Sequence, residues 1–215
     1  MKNDFRAVLF DLDGTLTDTL ADIAAAMNRA LALHGLPGWE TDAYRYLVGN
    51  GARTLAARAV RGREDLLGPV LADYQRYYET HSRVLTRPYA GVPELLHDLA
   101  GRGIPCCVLS NKPDADTQGV VRHYFPDVPF AVVRGQTDRY PLKPDPAAAI
   151  RVAEETGIPP ENFAYLGDTA VDMECAGRAG MHAIGVLWGF REKEELLESG
   201  AEALLSAPAD LLEIL

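Results

Sequence analysis

Two aspartates stand one residue apart in FDLDGTLTDT (Phe10 to Thr19), directly after the apolar run AVLF. Two more, Asp168 and Asp172, share the segment GDTAVD after the apolar run FAYL. A carboxylate can attack phosphorus to give an aspartyl-phosphate, which water then hydrolyses. A second acid two residues later points the same way along a strand, or comes close when the chain turns. It can then protonate the leaving alkoxide and later activate water. On this reading one carboxylate attacks and the other shuttles the proton.

Gathered at one place, Asp11, Asp13, Asp168 and Asp172 would repel one another unless a positive charge lay among them. Magnesium (Mg) answers that need, because it takes a few carboxylate oxygens together with water and substrate phosphate. Lys112, and Lys143 in GQTDRYPLKPDP, add positive charge, and Ser110 in LSNK offers a hydroxyl. A helix expected after Pro113 would turn backbone N–H groups toward the same place, an arrangement suited to phosphate oxygens. Taken singly, each residue has an ordinary use: a turn or helix cap for Asp11, Asp13 and Ser110, a solvated loop for Lys143, a plain turn for GDT. Their joint recurrence after apolar runs favours a site.

The elements that must position these residues are short buried strands at AVLF (7–10), CCVL (106–109), FAVV (130–133), FAYL (163–166) and AIGV (183–186). Most are followed by a turn and a helical pattern, as at 92–103 and 146–157, which argues a parallel α/β sheet. Ligands of such sheets collect outside the carboxyl ends of the strands, where all four acids fall. Between Thr17 and Arg87 apolar residues recur at helical spacing instead, and Pro88 and Gly91 suit a linker back into the α/β layer. The expected fold is an α/β, Rossmann-like parallel sheet core, residues 1–16 and 88–215, with an inserted all-helical cap domain, residues 17–87.

A chain of 215 residues, 47% hydrophobic, suits one ordinary core with a smaller insertion. Asp and Glu number 31 against 21 Lys and Arg, a net charge of -10 that argues against nucleic acid or an anionic membrane as partner. Three cysteines make no disulfide framework and no zinc spacing, and Cys106 and Cys107 read as packing residues. His34, His81, His97, His123 and His182 are scattered and match no catalytic motif. With no membrane span or signal peptide, a cytoplasmic protein is expected, monomer or homodimer.

The motifs DLDGTLTDT, PYAGV, LSNK, KPDP and GDTAVD, in this order around a helical insertion, resemble the haloacid dehalogenase (HAD) superfamily, most closely its phosphoglycolate phosphatase subgroup. The resemblance covers essentially the whole chain. It implies Asp11 as nucleophile and Asp13 as general acid/base, with Ser110 and Lys143 binding the transferring phosphoryl group and Lys143 steadying the nucleophile's charge. Magnesium would be held by the Asp11 carboxylate, the Asp13 backbone carbonyl and Asp168, with Asp172 reaching it directly or through water. The substrate implied is a small phosphate ester, foremost 2-phosphoglycolate. Other sugar-phosphate, nucleotide or pyrophosphate phosphatases of the same superfamily are the alternatives.

Caps in this family act as lids that exclude water and supply specificity. VGNGARTL (48–55) looks like the cap's substrate loop: Gly51 allows close backbone approach and Arg53 could meet a substrate carboxylate, or could simply face solvent on an amphipathic helix. Asn111 and Lys112 follow Ser110 and are expected to face the cavity, with an N-terminal helix cap as the competing use of Asn111. The superfamily's sugar-phosphate mutases carry a histidine where this chain has Ile23, and its phosphonatases use a cap lysine, of which residues 17–87 have none. A dehalogenase has no use for Asp13 or the acidic cluster. A non-catalytic phosphate-sensing module would not need Asp13 together with Lys143.

Overall fold

The computed structural model describes residues 4–215; the core segment expected from residue 1 therefore begins with residues 1–3 outside the described residues. Strand β1 (Ala7–Phe10) is wholly buried, and its alternate side chains enter two separate apolar layers. Val8 and Phe10 join Leu96, Leu99 and Val108 on one face, while Ala7 and Leu9 join Ala149, Val152 and Tyr165 on the other. A strand covered on both faces has no polar side to present, which is why it reads as an uninterrupted apolar run.

Next come β2 (Thr17–Asp18), α1 (Leu20–Leu33), α2 (Tyr44–Leu47), α3 (Gly51–Ala59), α4 (Glu64–His81) and β3 (Arg87–Pro88). β2 and β3 pair antiparallel, Thr17 opposite Pro88 and Asp18 opposite Arg87, so the chain leaves and re-enters the sheet layer at one place. The helices between them pack around an apolar cluster that includes Ile23, Met27, Tyr44, Leu55, Tyr74 and Tyr78. Buried Asp22 fastens the return segment: its carboxylate accepts the backbone N–H groups of Val84, Leu85 and Thr86 and the Thr86 hydroxyl at 2.8 to 3.0 Å.

The rest of the chain alternates: α5 (Val92–Gly101), β4 (Cys106–Pro113), α6 (Asp114–Tyr124), β5 (Val132–Gln136), α7 (Ala147–Thr156), β6 (Phe163–Gly167), α8 (Ala170–Ala179), β7 (His182–Val186), α9 (Lys193–Glu198), β8 (Ala203–Leu205) and α10 (Leu211–Ile214). The strands form a six-stranded parallel sheet in the order β5-β4-β1-β6-β7-β8, the α/β Rossmann-like layer expected. β1 lies between β4 and β6, with Leu9 opposite both Cys107 and Tyr165. The residues that leave these three strands therefore meet at one sheet edge.

Three strands of the sheet depart from expectation, and the first, β4, was expected at 106–109 but runs on to Pro113 through an irregular stretch after Leu109. FAVV was expected to be a strand at 130–133, but β5 runs from Val132 to Gln136. Phe130 turns back instead, its N–H donating to the Val128 carbonyl and its ring lying 6.2 Å from that of Phe125. As an edge strand β5 need not be apolar, and it carries Arg134 and Gln136. β8 was not anticipated, because three residues are too few to show a pattern. Cys106, Cys107 and Cys175 are buried and unbridged, and among the described residues no helix is long and apolar enough to cross a membrane.

Candidate active site

Asp11 is the first residue beyond β1, its N–H donating to the Leu166 carbonyl of β6 at 2.9 Å. One of its carboxylate oxygens accepts from Lys143 Nζ at 2.8 Å. The same ammonium donates to Asp172 at 2.7 Å and to the Leu109 carbonyl at 3.0 Å, so its three protons are all engaged. Burial opposes the charge on Lys143, but the Asp11 and Asp172 carboxylates outweigh it and hold the ammonium above its ordinary range. Asp172 is fixed from its other oxygen by the Thr169 hydroxyl at 2.7 Å and the Thr169 N–H at 3.2 Å, a capping box that opens α8.

Asp168 is fully buried, accepting from the Phe190 N–H at 2.8 Å and the Thr15 hydroxyl at 3.2 Å. Oxygens of Asp11, Asp168 and Asp172 all lie within 4.8 Å of one another. Glycines make the room: a Cβ on Gly14, whose φ is +94°, would overlap the Asp168 carboxylate, and one on Gly167 would overlap Asp172. Burial, and then the Asp172 charge, push Asp11 up to about 7 despite Lys143. Burial together with Asp11 and Asp172 drives Asp168 well above the carboxylate range. Three buried carboxylates held this close, shifted first by burial and then by one another, are a donor set that a hard divalent cation takes.

Asp13 stands at the mouth of the cluster, and both its oxygens accept from Lys112 Nζ, at 2.8 and 2.9 Å. Ser110 is buried within β4, just past Leu109 where the pairing with β5 becomes irregular, and its hydroxyl accepts from the Lys112 N–H at 3.2 Å. Asn111 is not a helix cap, since Pro113 holds the capping position of α6. Its amide donates to the carbonyls of Gly49 and Lys143 at 3.0 and 3.1 Å and accepts the Lys143 N–H at 2.9 Å, which ties the inserted helices to the lysine loop.

Asp11, Asp13, Ser110, Asn111, Lys112, Lys143 and Gly51 line one cavity between the sheet edge and the inserted helices. Gly51 lies there with a φ of +82°, a conformation that favours glycine. Arg53 does not line the cavity and is exposed. Gly51, Ala52 and Leu55 occupy the face of α3 turned inward, and at ~100° per residue Arg53 falls on the opposite side.

Sequence reasoning missed Tyr74, Tyr78 and Asp116, which also line the cavity. The two tyrosines are four apart on α4, a spacing indistinguishable from ordinary helix core. It also missed the fastening of segment 45–49. Arg45 donates to the Gly189 and Phe190 carbonyls at 2.7 and 3.0 Å, and Arg191 to the Val48 carbonyl at 3.1 Å.

A sequence model of the haloacid dehalogenase-like hydrolases matches residues 8–186. The chain is 30% identical to a phosphoglycolate phosphatase of Mannheimia succiniciproducens over the full length of both. It is 32% identical to an N-acetylmuramic acid 6-phosphate phosphatase of Pseudomonas aeruginosa, covering 98% of this chain and 94% of that one. A crystal structure described as a predicted phosphoglycolate phosphatase from Haemophilus somnus superposes with a TM-score of 0.91 at 28% identity, covering 98% of each chain. With that match over most of its length, the chain belongs to the haloacid dehalogenase-like hydrolases, in their phosphoglycolate phosphatase-like group.

Proposed function

We propose that the protein is a magnesium-dependent phosphatase that hydrolyses a small phosphate monoester through an aspartyl-phosphate on Asp11. The observation that carries this reading is the pair of lysine contacts: Lys143 on Asp11 at 2.8 Å and Lys112 on Asp13 at 2.8 Å, both inside one cavity. A chain that merely bound phosphate would need neither a second acid nor a lysine to hold it.

The buried acidic cluster fits magnesium in donor type and in its surplus of negative charge. The Asp11 and Asp168 carboxylates and the Asp13 backbone carbonyl would hold it, with Asp172 beside them. When bound it screens the charge between the attacking carboxylate and the phosphoryl oxygens.

The chain's own groups account for the remaining steps. The free oxygen of Asp11 attacks phosphorus, forming the Asp11 O–P bond as the ester P–O bond breaks. Asp13 donates its proton to the departing alkoxide oxygen. Asp13, now a base, takes a proton from water; the water oxygen attacks phosphorus, the Asp11 O–P bond breaks, and inorganic phosphate leaves. Ser110 orients the phosphoryl oxygens, and Lys143 holds the Asp11 carboxylate in place beside them. Residues 17–87 act as the lid, closing the cavity to bulk water.

Ile23 is buried in the cavity wall at the position where the superfamily's mutases carry a histidine, which supports hydrolysis over transfer between sugar oxygens. The relatives' names put 2-phosphoglycolate first among compounds to test and sugar phosphates second. The deciding measurement is release of phosphate from p-nitrophenyl phosphate with and without magnesium. Activity that requires the metal and disappears in Asp11→Asn supports the reading; no release at any divalent metal concentration overturns it.

A further inference from the structure

Lys143 lies outside any helix or strand and is buried, so its backbone N–H and C=O need partners that no ladder supplies. Among the described residues only Asn111 supplies them. Its side-chain oxygen accepts the Lys143 N–H at 2.9 Å, and its amide donates to the Lys143 carbonyl at 3.1 Å. The side chain stands in for a neighbouring strand, and it does so from the stretch of β4 whose own pairing with β5 is irregular. Two residues before Asn111, the Leu109 carbonyl accepts from the Lys143 ammonium at 3.0 Å. β4 therefore grips Lys143 at its backbone and at its tip, and the other protons of that ammonium go to Asp11 at 2.8 Å and Asp172 at 2.7 Å.

Asn111 lines the cavity, yet it has nothing to offer a phosphoryl group. A side-chain amide carries two N–H donors. One is taken by the Lys143 carbonyl and the other by the Gly49 carbonyl at 3.0 Å. What remains are oxygen lone pairs, which repel the oxygens of an anionic phosphate. Ser110 beside it differs, because its hydroxyl accepts from the Lys112 N–H and keeps its own proton to donate.

We propose that Asn111 is a positioning residue for the attacking carboxylate, acting through Lys143, and not a contact of the substrate. The inference rests on the phosphatase reading above, since it gives Asn111 a part in the attack by Asp11. Without Asn111 the lysine loop loses its tie to β4, and the Asp11 carboxylate loses the ammonium that aims it.

The test uses the full chain with magnesium, p-nitrophenyl phosphate and glycerol 3-phosphate as substrates, and inorganic phosphate as a competitive inhibitor. Asn111→Ala is expected to lower kcat by about 100-fold, the scale of a reacting group misplaced by roughly 1 Å, and to do so alike on both substrates because they share the attack. The inhibition constant of inorganic phosphate is expected to stay within about twofold of the parent's. Asn111→Ser, a milder change that keeps an acceptor for the Lys143 N–H, should melt closer to the parent and recover part of kcat. In a Lys143→Met background Asn111→Ala should cost nothing further, because the group through which it acts is gone. An inhibition constant and KM raised by about tenfold with kcat kept, the pattern of a lost binding contact, overturns the inference and leaves the phosphatase reading standing. So does the full loss repeated in the Lys143→Met background. No phosphate release by the parent at any divalent metal concentration overturns the phosphatase reading and this inference with it.

Discussion

The ammonium of Lys112 lies 2.8 and 2.9 Å from the two carboxylate oxygens of Asp13, and its remaining contact is the Tyr78 hydroxyl of α4 at 2.8 Å. The proposed proton shuttle is thus held by a lysine of the sheet, and that lysine is itself completed by a tyrosine of the inserted helices. Placement of Asp13 is thereby tied to the packing of those helices.

The dependence on leaving group tests this relationship. An alkyl phosphate needs a proton on its departing oxygen, whereas p-nitrophenolate leaves without one. Lys112→Met is expected to lower kcat for alkyl phosphates by about 100-fold, the usual scale of general acid catalysis, and for p-nitrophenyl phosphate by less than about tenfold. Tyr78→Phe should show the same asymmetry in smaller measure. Equal losses on both substrate types would mean that Lys112 acts on phosphate binding and not through Asp13.

Removal of metal should expose the strain of the acidic cluster. Burial first, and then neighbouring carboxylates, hold Asp11 at about 7 and Asp168 well above its ordinary value. These groups keep a proton in the folded chain where the unfolded chain has lost it. The unfolded state then binds fewer protons, and stability falls as pH rises from about 4 to about 7. In EDTA the melting temperature is expected to drop across that window, and magnesium to restore it near neutrality. Asp168→Asn, which is neutral without taking up a proton, should melt roughly 3 °C higher than the parent in EDTA at neutral pH and gain little from magnesium. A profile in EDTA that is flat or rises toward neutrality contradicts this account.

Asp22 offers a test of how the inserted helices are joined to the sheet layer. Its carboxylate serves three successive backbone N–H groups and a hydroxyl where the chain returns through residues 84–86. Asp22→Ala leaves these donors without a partner, and a loss of about 3 kcal/mol in unfolding free energy by urea titration is expected. Asp22→Asn keeps an acceptor oxygen and should recover part of it. If both variants match the parent, the hinge is held by other contacts.

Arg45 tests the fastening of segment 45–49. Arg45→Ala removes two hydrogen bonds from a charged donor to the Gly189 and Phe190 carbonyls, each on a scale of about 1.5 to 3 kcal/mol, without touching the acids. Limited proteolysis is expected to cut near residues 45–50 faster in the variant, with KM rising more than kcat falls. A cleavage pattern identical to the parent would show that the segment is held elsewhere.

Much of this protein is decided locally. Apolar runs of four residues mark strands buried on both faces, and polar groups that follow such runs must lie at the sheet edge, so the placement of Asp11 and Asp168 at strand ends was legible from spacing alone, while β4 runs on past Ser110 to Pro113. Edge strand β5 was shifted because a strand with one free side carries little periodic signal. Partners were another matter. Lys112 meets Asp13 across 99 residues of sequence and Lys143 meets Asp11 across 132, and no local pattern encodes which cation closes on which acid. Arg53 faces solvent while Tyr78 faces the cavity because the rotation of each helix about its axis is set by whole-surface packing. Residue order carries the available chemistry and the edge at which it gathers; tertiary packing sets which cation closes on which acid, because those pairings belong to contacts between distant segments.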